Sequence, residues 1–176
     1  LAGFDPCMVL LNNDLSAGVP GILEGIEQTI MPPLHAGWAT RRKSRHFKAY
    51  QHICIEFARL VGIGPWLIDP FFNQCGRIDF QARQGEDCLA EKVDDMLKKI
   101  RVKYDEYGID QPPFVIVKAD AGTYGMGIMT VKSPDDVREL NRKQRNKMAV
   151  IKEGMEVHEV LIQEGVYTFE SINEAV

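Results

Sequence analysis

The sequence predicts a mixed α/β (α+β) fold, and three observations support this class. Short apolar runs alternate with longer segments whose apolar residues recur every three or four positions, as in amphipathic helices. With 176 residues, of which 45% are hydrophobic, the chain can form one sizeable core or two small ones. No internal repeat or low-complexity tract interrupts the alternation.

Charge and hydropathy exclude two classes of partner. The formal net charge is −4, whereas binding to a phosphate backbone favours a basic excess. No apolar run approaches the roughly 20 residues of a membrane-spanning helix, and residues 1–5 do not begin like a secretion signal. We therefore expect a cytoplasmic protein that binds neither nucleic acid nor membrane.

The cysteines and histidines form no motif of a metal site or of a covalent nucleophile. Cys7, Cys54, Cys75 and Cys88 include no C-x-x-C pair, which argues against a zinc knuckle or a redox dithiol. Buried free thiols are the expected state. The four histidines include no H-E-x-x-H pattern. The sequence predicts no metal ligands within this chain.

The first predicted elements are a strand and a short helix. Residues 7–11 form a continuous apolar run, which is typical of a strand buried on both faces. The polar residues 12–14 follow, and their side chains favour a turn. Residues 21–30 predict a short helix, which ends before the prolines at positions 32 and 33.

Two amphipathic helices are predicted in the middle of the chain. Residues 44–61 form the first, and Gly62 ends it. Its predicted buried face consists of Phe47, Tyr50, Cys54, Phe57, Ala58 and Val61. Residues 65–85 are irregular, with one short strand predicted at residues 66–68. Residues 88–107 then predict a long helix that ends at a glycine.

The next segment is the most informative one of the chain. Residues 114–117 predict a buried strand, and residues 128–131 predict its antiparallel partner. Lys118 stands at the end of the first strand, directly before the connecting loop. The pattern predicts a hairpin with a positive charge at the base of its loop.

The loop of this hairpin contains Gly122, Gly125 and Gly127. Because glycine has no Cβ, such a loop can bring backbone N–H groups close to phosphate oxygens. A Walker loop is excluded, since its lysine follows the glycines and precedes a helix. The dinucleotide fingerprint has different spacing and also opens a helix. A phosphate-binding loop and a ligand-free hairpin loop both remain compatible with the glycines alone.

A helix and a final strand follow the hairpin. Residues 133–148 predict the helix, because a serine, a proline and two acids mark its start. Residues 157–166 predict the strand, near whose end lie Gln163 and Glu164. Backbone groups past a strand end can pair with the edge of adenine, and Glu164 could reach its amino group or the ribose. Taken alone, the same dipeptide is typical of a turn.

This order of elements resembles the N-terminal half of the ATP-grasp nucleotide site, in which ATP lies between two α+β subdomains. Several longer sequence segments are similar to a bacterial type of glutamate-cysteine ligase. These segments are residues 11–20, 32–38, 117–130, 141–148 and 163–168. The similarity thus covers nearly the whole chain. It implies ATP-dependent formation of γ-glutamylcysteine, the first step of glutathione biosynthesis.

The resemblance also implies a mechanism and a nucleotide site. Glutamate and cysteine would be joined through γ-glutamyl phosphate, with ATP and Mg²⁺ as cofactors. Lys118 matches the lysine on the α- or β-phosphate and is the expected catalytic residue. A second, earlier lysine is expected, and Lys43 is preferred to Lys48, although either could be a solvated charge at a helix start. The implied nucleotide-binding residues are Lys43, Lys118, Gly122, Thr123, Tyr124, Gly125, Met126, Gly127, Gln163, Glu164, Gly165 and Val166.

Two polar segments are candidates for binding the amino-acid substrates. A guanidinium fork suits a carboxylate, and a polar loop after a strand lies where α/β proteins often bind ligands. Solvated surface and a simple turn are the ordinary interpretations of the same residues. The candidates are Asn12, Asn13, Asp14, Ser16, Arg41 and Arg42. Asp120 is expected either to orient Lys118 or the loop, or to lie exposed.

Two domains are expected from the resemblance. A pre-ATP-grasp-like α/β domain would cover residues 1–80, and the N-terminal ATP-grasp subdomain with its flap would cover residues 81–176. The family's magnesium-binding acids lie in a second subdomain and are expected beyond Val176, so we expect this chain to be a fragment that is inactive alone. The alternatives are another ATP-grasp carboxylate-amine ligase and a non-catalytic nucleotide-binding module.

Overall fold

The computed structural model of the chain describes residues 3–13, 15, 18–36, 42–121, 126–150 and 156–168. The helices and strands of these ranges are β1 (Met8–Leu10), β2 (Thr29–Met31), α1 (Lys43–Val61), β3 (Phe72–Arg77), α2 (Glu86–Tyr107), β4 (Val115–Ala119), β5 (Ile128–Val131), α3 (Asp135–Arg138), α4 (Arg142–Ala149) and β6 (Glu159–Glu164). Short 3₁₀ turns lie at Gly21–Leu23, Leu34–Ala36 and Pro65–Leu67. The mixed α/β class is confirmed.

Four of the strands form an antiparallel sheet in the order β3-β6-β4-β5. Side chains alternate between the two faces of each strand. Val115, Val117 and Ala119 of β4 are buried on one face, which we call the core face, whereas Ile116 and Lys118 are half-buried on the other, which we call the open face. The predicted hairpin of β4 and β5 is confirmed, with Lys118 opposite Ile128.

Helix α2 covers the core face of the sheet. Its inward side chains recur at three and four positions, so they form one apolar stripe along the helix. Leu89, Val93, Met96 and Ile100 of this stripe are almost completely buried and belong to the same cluster as the core-face side chains of β4. Gly108 ends the helix in the left-handed conformation. The long predicted helix is therefore confirmed, and it builds the main core.

Helix α1 has the predicted extent, but its predicted buried face is only partly correct. Cys54 and Ala58 are buried, and Gly62 ends the helix with a positive φ of 73°. Tyr50, Phe57 and Val61 are instead exposed to solvent. The helical spacing of the apolar residues was therefore a correct signal for the helix, but not for which side of it is covered.

The first predicted strand is shorter and more exposed than expected. Its pairing partner is β2, which lies parallel to it and occupies the end of the segment predicted to be helical. Leu10 is 75% exposed and only Val9 is half-buried, so burial on both faces is wrong. The predicted helix of residues 21–30 is reduced to a 3₁₀ turn. Pairing with a distant segment outweighs local propensity here.

Two further predictions need correction. The strand predicted at residues 66–68 is a 3₁₀ turn, and the strand in this region is β3, which pairs with β6. The helix predicted at residues 133–148 is two helices, α3 and α4, because Asn141 starts a new one. The side chain of Asn141 accepts from Gln144 N and the side chain of Gln144 accepts from Asn141 N, forming a capping box.

The cysteine side chains and the described helices bear on two of the predictions. All four cysteines are free thiols, with Cys54 and Cys75 buried and Cys7 and Cys88 exposed, so the expected burial is correct for two of them. None of the described helices combines the length and the apolar character needed to cross a membrane. The division into two domains at residue 80 stays a prediction.

Candidate functional site

Lys118 is a half-buried cation on the open face of the sheet. Its Nζ donates a hydrogen bond to Gln163 Oε1 and lies 5.1 Å from the centre of the Phe47 ring. Burial lowers the pKa of Lys118, because a low-dielectric environment disfavours the charged form. No ion pair joins Lys118 to any acid among the described residues.

The strand register explains why Lys118 meets Gln163. In the pairing of β4 with β6, Ile116 lies opposite Gln163 and Lys118 lies opposite Leu161, so all four side chains share the open face. The Gln163 amide Nε2 donates to Pro70 O at 3.0 Å, which holds the side chain in place. The sequence prediction named both residues, and the structure brings them into contact.

Lys43 reaches the base of the glycine loop from another element. Its Nζ donates to Ala119 O at 2.7 Å and to Ala121 O at 3.1 Å. On the return side of the hairpin, Ala119 N donates to Gly127 O at 2.9 Å. Lys43 therefore contacts the residue that directly follows Lys118, although the two lysines are far apart in sequence.

Asp120 fixes the start of α1 to this loop base. Ser44 N donates to Asp120 Oδ1 and Ser44 Oγ donates to Asp120 Oδ2, both at 2.7 Å, while Lys43 N donates to Asp120 O at 3.0 Å. Asp120 is only 1% exposed, so the alternative of surface exposure is wrong. Its carboxylate caps α1 from outside the helix, in the position where an N-cap side chain normally acts.

Several predicted residues lie outside the described ranges: Asp14, Ser16, Arg41, Gly122, Thr123, Tyr124 and Gly125. Two nucleotide candidates at the far end of the loop are described. Met126 is 43% exposed, and Gly127 is buried with a φ of 62°, which glycine adopts without strain.

Glu164 lies at the end of β6 and faces the side opposite to Lys118. It is paired with Val115, a core-face residue of β4, and its Oε2 accepts a hydrogen bond from Trp66 Nε1 at 2.9 Å. Burial raises the pKa of Glu164, although the bond from Trp66 opposes the shift. The structure therefore places the predicted Gln163 and Glu164 on opposite faces of the sheet.

Gly165 and Val166 follow the end of β6. A Cβ at Gly165 would lie 2.0 Å from the Phe114 ring, so only glycine fits there without displacing that ring. Gly165 N also donates to Phe114 O at 2.9 Å. Val166 is exposed, with 74% of its surface accessible. The chain beyond β6 is thus tightly packed at Gly165 and exposed to solvent at Val166.

The substrate candidates fall in two different places. Asn13 Oδ1 accepts from Leu15 N at 2.8 Å, as in an Asx turn, and no hydrogen bond in the described part of the chain joins Asn12 or Asn13 to the lysines. Arg42, by contrast, lines an open cleft of ≈ 330 Å³ beside Ala119 and Ala121 at the loop base. The structure brings Arg42 to the loop, but it does not bring Asn12 and Asn13 there.

The sequence alone did not identify the other ionisable residues of this cleft. Besides Arg42, they are Arg77, Glu156, His158 and Glu159. Arg77 is opposite Glu159 in the pairing of β3 with β6, and neither belongs to a local motif. A larger cleft of ≈ 740 Å³ lies between β5 and α4, and neither Lys43 nor Lys118 lines it.

Comparison with known proteins supports the resemblance to glutamate-cysteine ligases. The chain matches the family described as "Glutamate-cysteine ligase" over residues 1–176. It is similar to the 1.90 Å crystal structure of a "Putative gamma-glutamylcysteine synthetase" from Methylobacillus flagellatus KT, with 70% sequence identity and a TM-score of 0.84. The match covers 94% of this chain and 39% of that one, so this chain spans less than half of that relative. No curated protein matches the chain. The chain belongs to the glutamate-cysteine ligase family.

Proposed function

We propose that this chain is the nucleotide-binding part of an ATP-dependent glutamate-cysteine ligase of the ATP-grasp type, which forms γ-glutamylcysteine. One observation carries the nucleotide assignment. Lys118 is a half-buried cation at the base of a glycine-rich loop. Among the described residues, its Nζ donates to the neutral side-chain amide of Gln163. A second ammonium, that of Lys43, binds the backbone of the same loop base.

The charge state of Lys118 favours binding of an anion. Burial of an ammonium without an ion pair has a free-energy cost, and the lowered pKa of Lys118 reflects it. A phosphate oxygen at this position would offset that cost through a charge-assisted hydrogen bond. We therefore assign Lys118 to a phosphate of ATP, and Lys43 to holding the loop base close to that phosphate.

The glycine loop is proposed to bind the remaining phosphate charge. This assignment rests on sequence for residues 122–125, where two glycines can present backbone N–H groups to phosphate oxygens. Gly127 ends the loop with a positive φ and accepts from Ala119 N through its carbonyl oxygen. Lys118 and the loop would thus approach the nucleotide from the same end of the hairpin.

The proposed reaction has two steps. The γ-phosphoryl group of ATP moves to the side-chain carboxylate of glutamate, which gives γ-glutamyl phosphate and ADP. The amine of cysteine then attacks the acyl carbon, phosphate leaves, and the amide forms with loss of a proton from the nitrogen. Fixed positive groups and N–H donors stabilise charge on the transferring phosphoryl group. Among the residues that the structure describes, we assign this role to Lys118.

The adenine ring is proposed to lie past the end of β6. Gln163 faces the open side next to Lys118, and Val166 is exposed just beyond the strand. Backbone groups there can pair with the purine edge. Because Glu164 is already bonded to Trp66 on the other face, we assign it to holding the strand end rather than to contacting the base.

Magnesium accompanies ATP in phosphoryl transfer, where it neutralises phosphate charge. In the part of the chain that the structure describes, no group of three or more His, Cys, Asp or Glu side chains could hold a metal ion. These residues do not fit a magnesium site, and we assign none of them as ligands. The roles of Lys118, Lys43 and Gln163 do not depend on where the metal binds.

An ATP-turnover assay with single omissions tests the proposal on the natural protein that carries this sequence. ADP release should require both L-glutamate and L-cysteine, and mass spectrometry should detect γ-glutamylcysteine. A requirement for a different carboxylate or amine would identify another ligase, whereas nucleotide binding without turnover would indicate a binding module. ADP release that needs neither amino acid would contradict the proposed reaction.

A further inference from the structure

The cleft next to the loop base is placed where a small substrate could meet the phosphates. Ala119 and Ala121 form part of its wall, and the same two residues provide the carbonyl oxygens that bind Lys43. Lys118 precedes Ala119 directly. The volume of ≈ 330 Å³ is near the lower limit for ligand sites, which suits an amino acid better than a nucleotide.

The cleft contains charges of both signs, and three of them have no partner within the described ranges. His158 Nε2 and Glu156 Oε2 are 3.4 Å apart and form an ion pair when the histidine is protonated. The side chains of Arg42, Arg77 and Glu159 make neither a hydrogen bond nor an ion pair with any described residue. Two guanidinium groups and one carboxylate are therefore available to a ligand.

We propose that this cleft binds L-glutamate through Arg42, Arg77 and Glu159, an inference that rests on the proposed function. Glutamate carries two carboxylates and one ammonium, which match two guanidinium groups and one carboxylate. Cysteine has only one carboxylate and would leave one guanidinium unpaired. Arginine suits this role because its planar fork binds a carboxylate bidentately.

The positions of the two arginines suggest how glutamate is oriented. Arg42 directly precedes Lys43, whose ammonium lies at the loop base, so a carboxylate on Arg42 is the one closer to the proposed phosphates. Arg77 lies at the end of β3, opposite Glu159 in the pairing with β6. We assign the γ-carboxylate to Arg42 and the α-carboxylate to Arg77, with the ammonium on Glu159.

The first test measures substrate KM values in Arg77→Ala, with Arg59→Ala as the control at an exposed arginine of α1. A lost charge-assisted hydrogen bond should raise the KM for glutamate roughly 10- to 100-fold. The KM values for ATP and cysteine should change less than about threefold. Arg77→Lys keeps the charge but loses the fork, and it should give an intermediate KM for glutamate.

Direct binding separates this inference from the proposed reaction. Calorimetry without ATP should show weaker L-glutamate binding in Arg77→Ala, while the melting temperature stays unchanged. The unmodified protein should also prefer glutamate to glutarate, which lacks the ammonium, and Glu159→Gln should reduce that preference about tenfold. If the unmodified protein makes γ-glutamylcysteine but Arg77→Ala keeps a normal glutamate KM, the cleft assignment alone is overturned. A rise in the cysteine KM instead would overturn the choice of glutamate.

Discussion

The two faces of the four-stranded sheet differ sharply, although the same strands build both. On the core face, Val115 and Val117 of β4 are completely buried against the apolar stripe of α2. On the open face, the residue between Val117 and Ala119 is Lys118, whose ammonium is half-buried and lacks an ion pair among the described residues. The core face stabilises the fold through burial of apolar side chains, whereas the open face holds a charge whose partial burial costs free energy.

This difference shows how a short strand can serve two purposes. Because side chains alternate, a lysine can be inserted into a core strand without placing its charge in the core. The rigid core face then fixes the position of the lysine on the open face. We expect substitutions on the core face to change stability, and substitution of Lys118 on the open face to change nucleotide binding.

Ile100→Ala should give the largest effect on stability. Ile100 lies in the middle of α2, is completely buried and belongs to the core cluster. Truncating such a side chain lowers the free energy of unfolding by about 2 to 5 kcal/mol, which corresponds to a melting temperature roughly 5 to 15 °C lower. Thermal denaturation measures this decrease in melting temperature. Below the new melting temperature, ATP affinity should stay normal, and a large loss of affinity would contradict the separation of the two faces.

Asp120→Ala should affect both stability and binding, because Asp120 joins α1 to the loop base. The substitution removes the acceptor of Ser44 N and Ser44 Oγ, at a cost of about 1 to 3 kcal/mol. The start of α1, which carries Lys43, would be held less firmly to the loop base, so ATP should also bind more weakly. Ser44→Ala removes only the hydroxyl group and serves as the milder comparison. Equal melting temperatures for Asp120→Ala and the unmodified protein would rule out this role.

The pH dependence of ATP affinity should sharpen the assignment of Lys118. ATP favours the charged ammonium, so affinity is full below the pKa of Lys118 and falls as the pH rises through it. Burial lowers this pKa, so the decrease should begin at a lower pH than for an exposed lysine. Titration calorimetry at several alkaline pH values measures this decrease in ATP affinity. Lys118→Arg should remove the decrease, because arginine stays charged, and an unaltered pH profile in that variant would be evidence against the assignment.

Glu164→Gln should have the smallest effect. The glutamine oxygen can still accept from Trp66 Nε1, and the substitution removes a carboxylate whose pKa is raised by burial. A raised carboxyl pKa means that the folded state loses stability as the pH rises through it. At neutral pH the free energy of unfolding of the variant should therefore match or slightly exceed that of the unmodified protein, by about 1 kcal/mol at most, and thermal denaturation measures the difference. Marked destabilisation would show that the negative charge itself is required.

The sequence allowed prediction of those features that depend on local periodicity. Helix α2 and the hairpin of β4 and β5 follow from apolar spacing and glycine positions, and Lys118 was placed correctly at the loop base. Strand β3 was missed, because its identity depends on pairing with β6 far along the chain rather than on an apolar pattern. Of the charged residues in the cleft that we propose for glutamate, only Arg42 was predicted from the sequence, since Arg77 and Glu159 become neighbours through that pairing.

The relation between Gln163 and Glu164 also depends on the fold. Both residues are predicted to lie at the nucleotide site, because they stand near the end of the same strand. Strand alternation separates them, so Gln163 meets Lys118 while Glu164 meets Trp66 on the other side. Only the register of β6 against β4 determines which of the two reaches the open face.

The affinity of ATP for Lys118→Ala tests the central claim most directly. Titration calorimetry should compare this variant with Lys99→Ala, a control at an exposed lysine on α2. Loss of a charge-assisted hydrogen bond to phosphate predicts roughly 10- to 100-fold weaker ATP binding for Lys118→Ala, normal affinity for Lys99→Ala, and a melting temperature for Lys118→Ala that does not fall. If Lys118→Ala binds ATP as tightly as the unmodified protein, the open face of the sheet is not the nucleotide site.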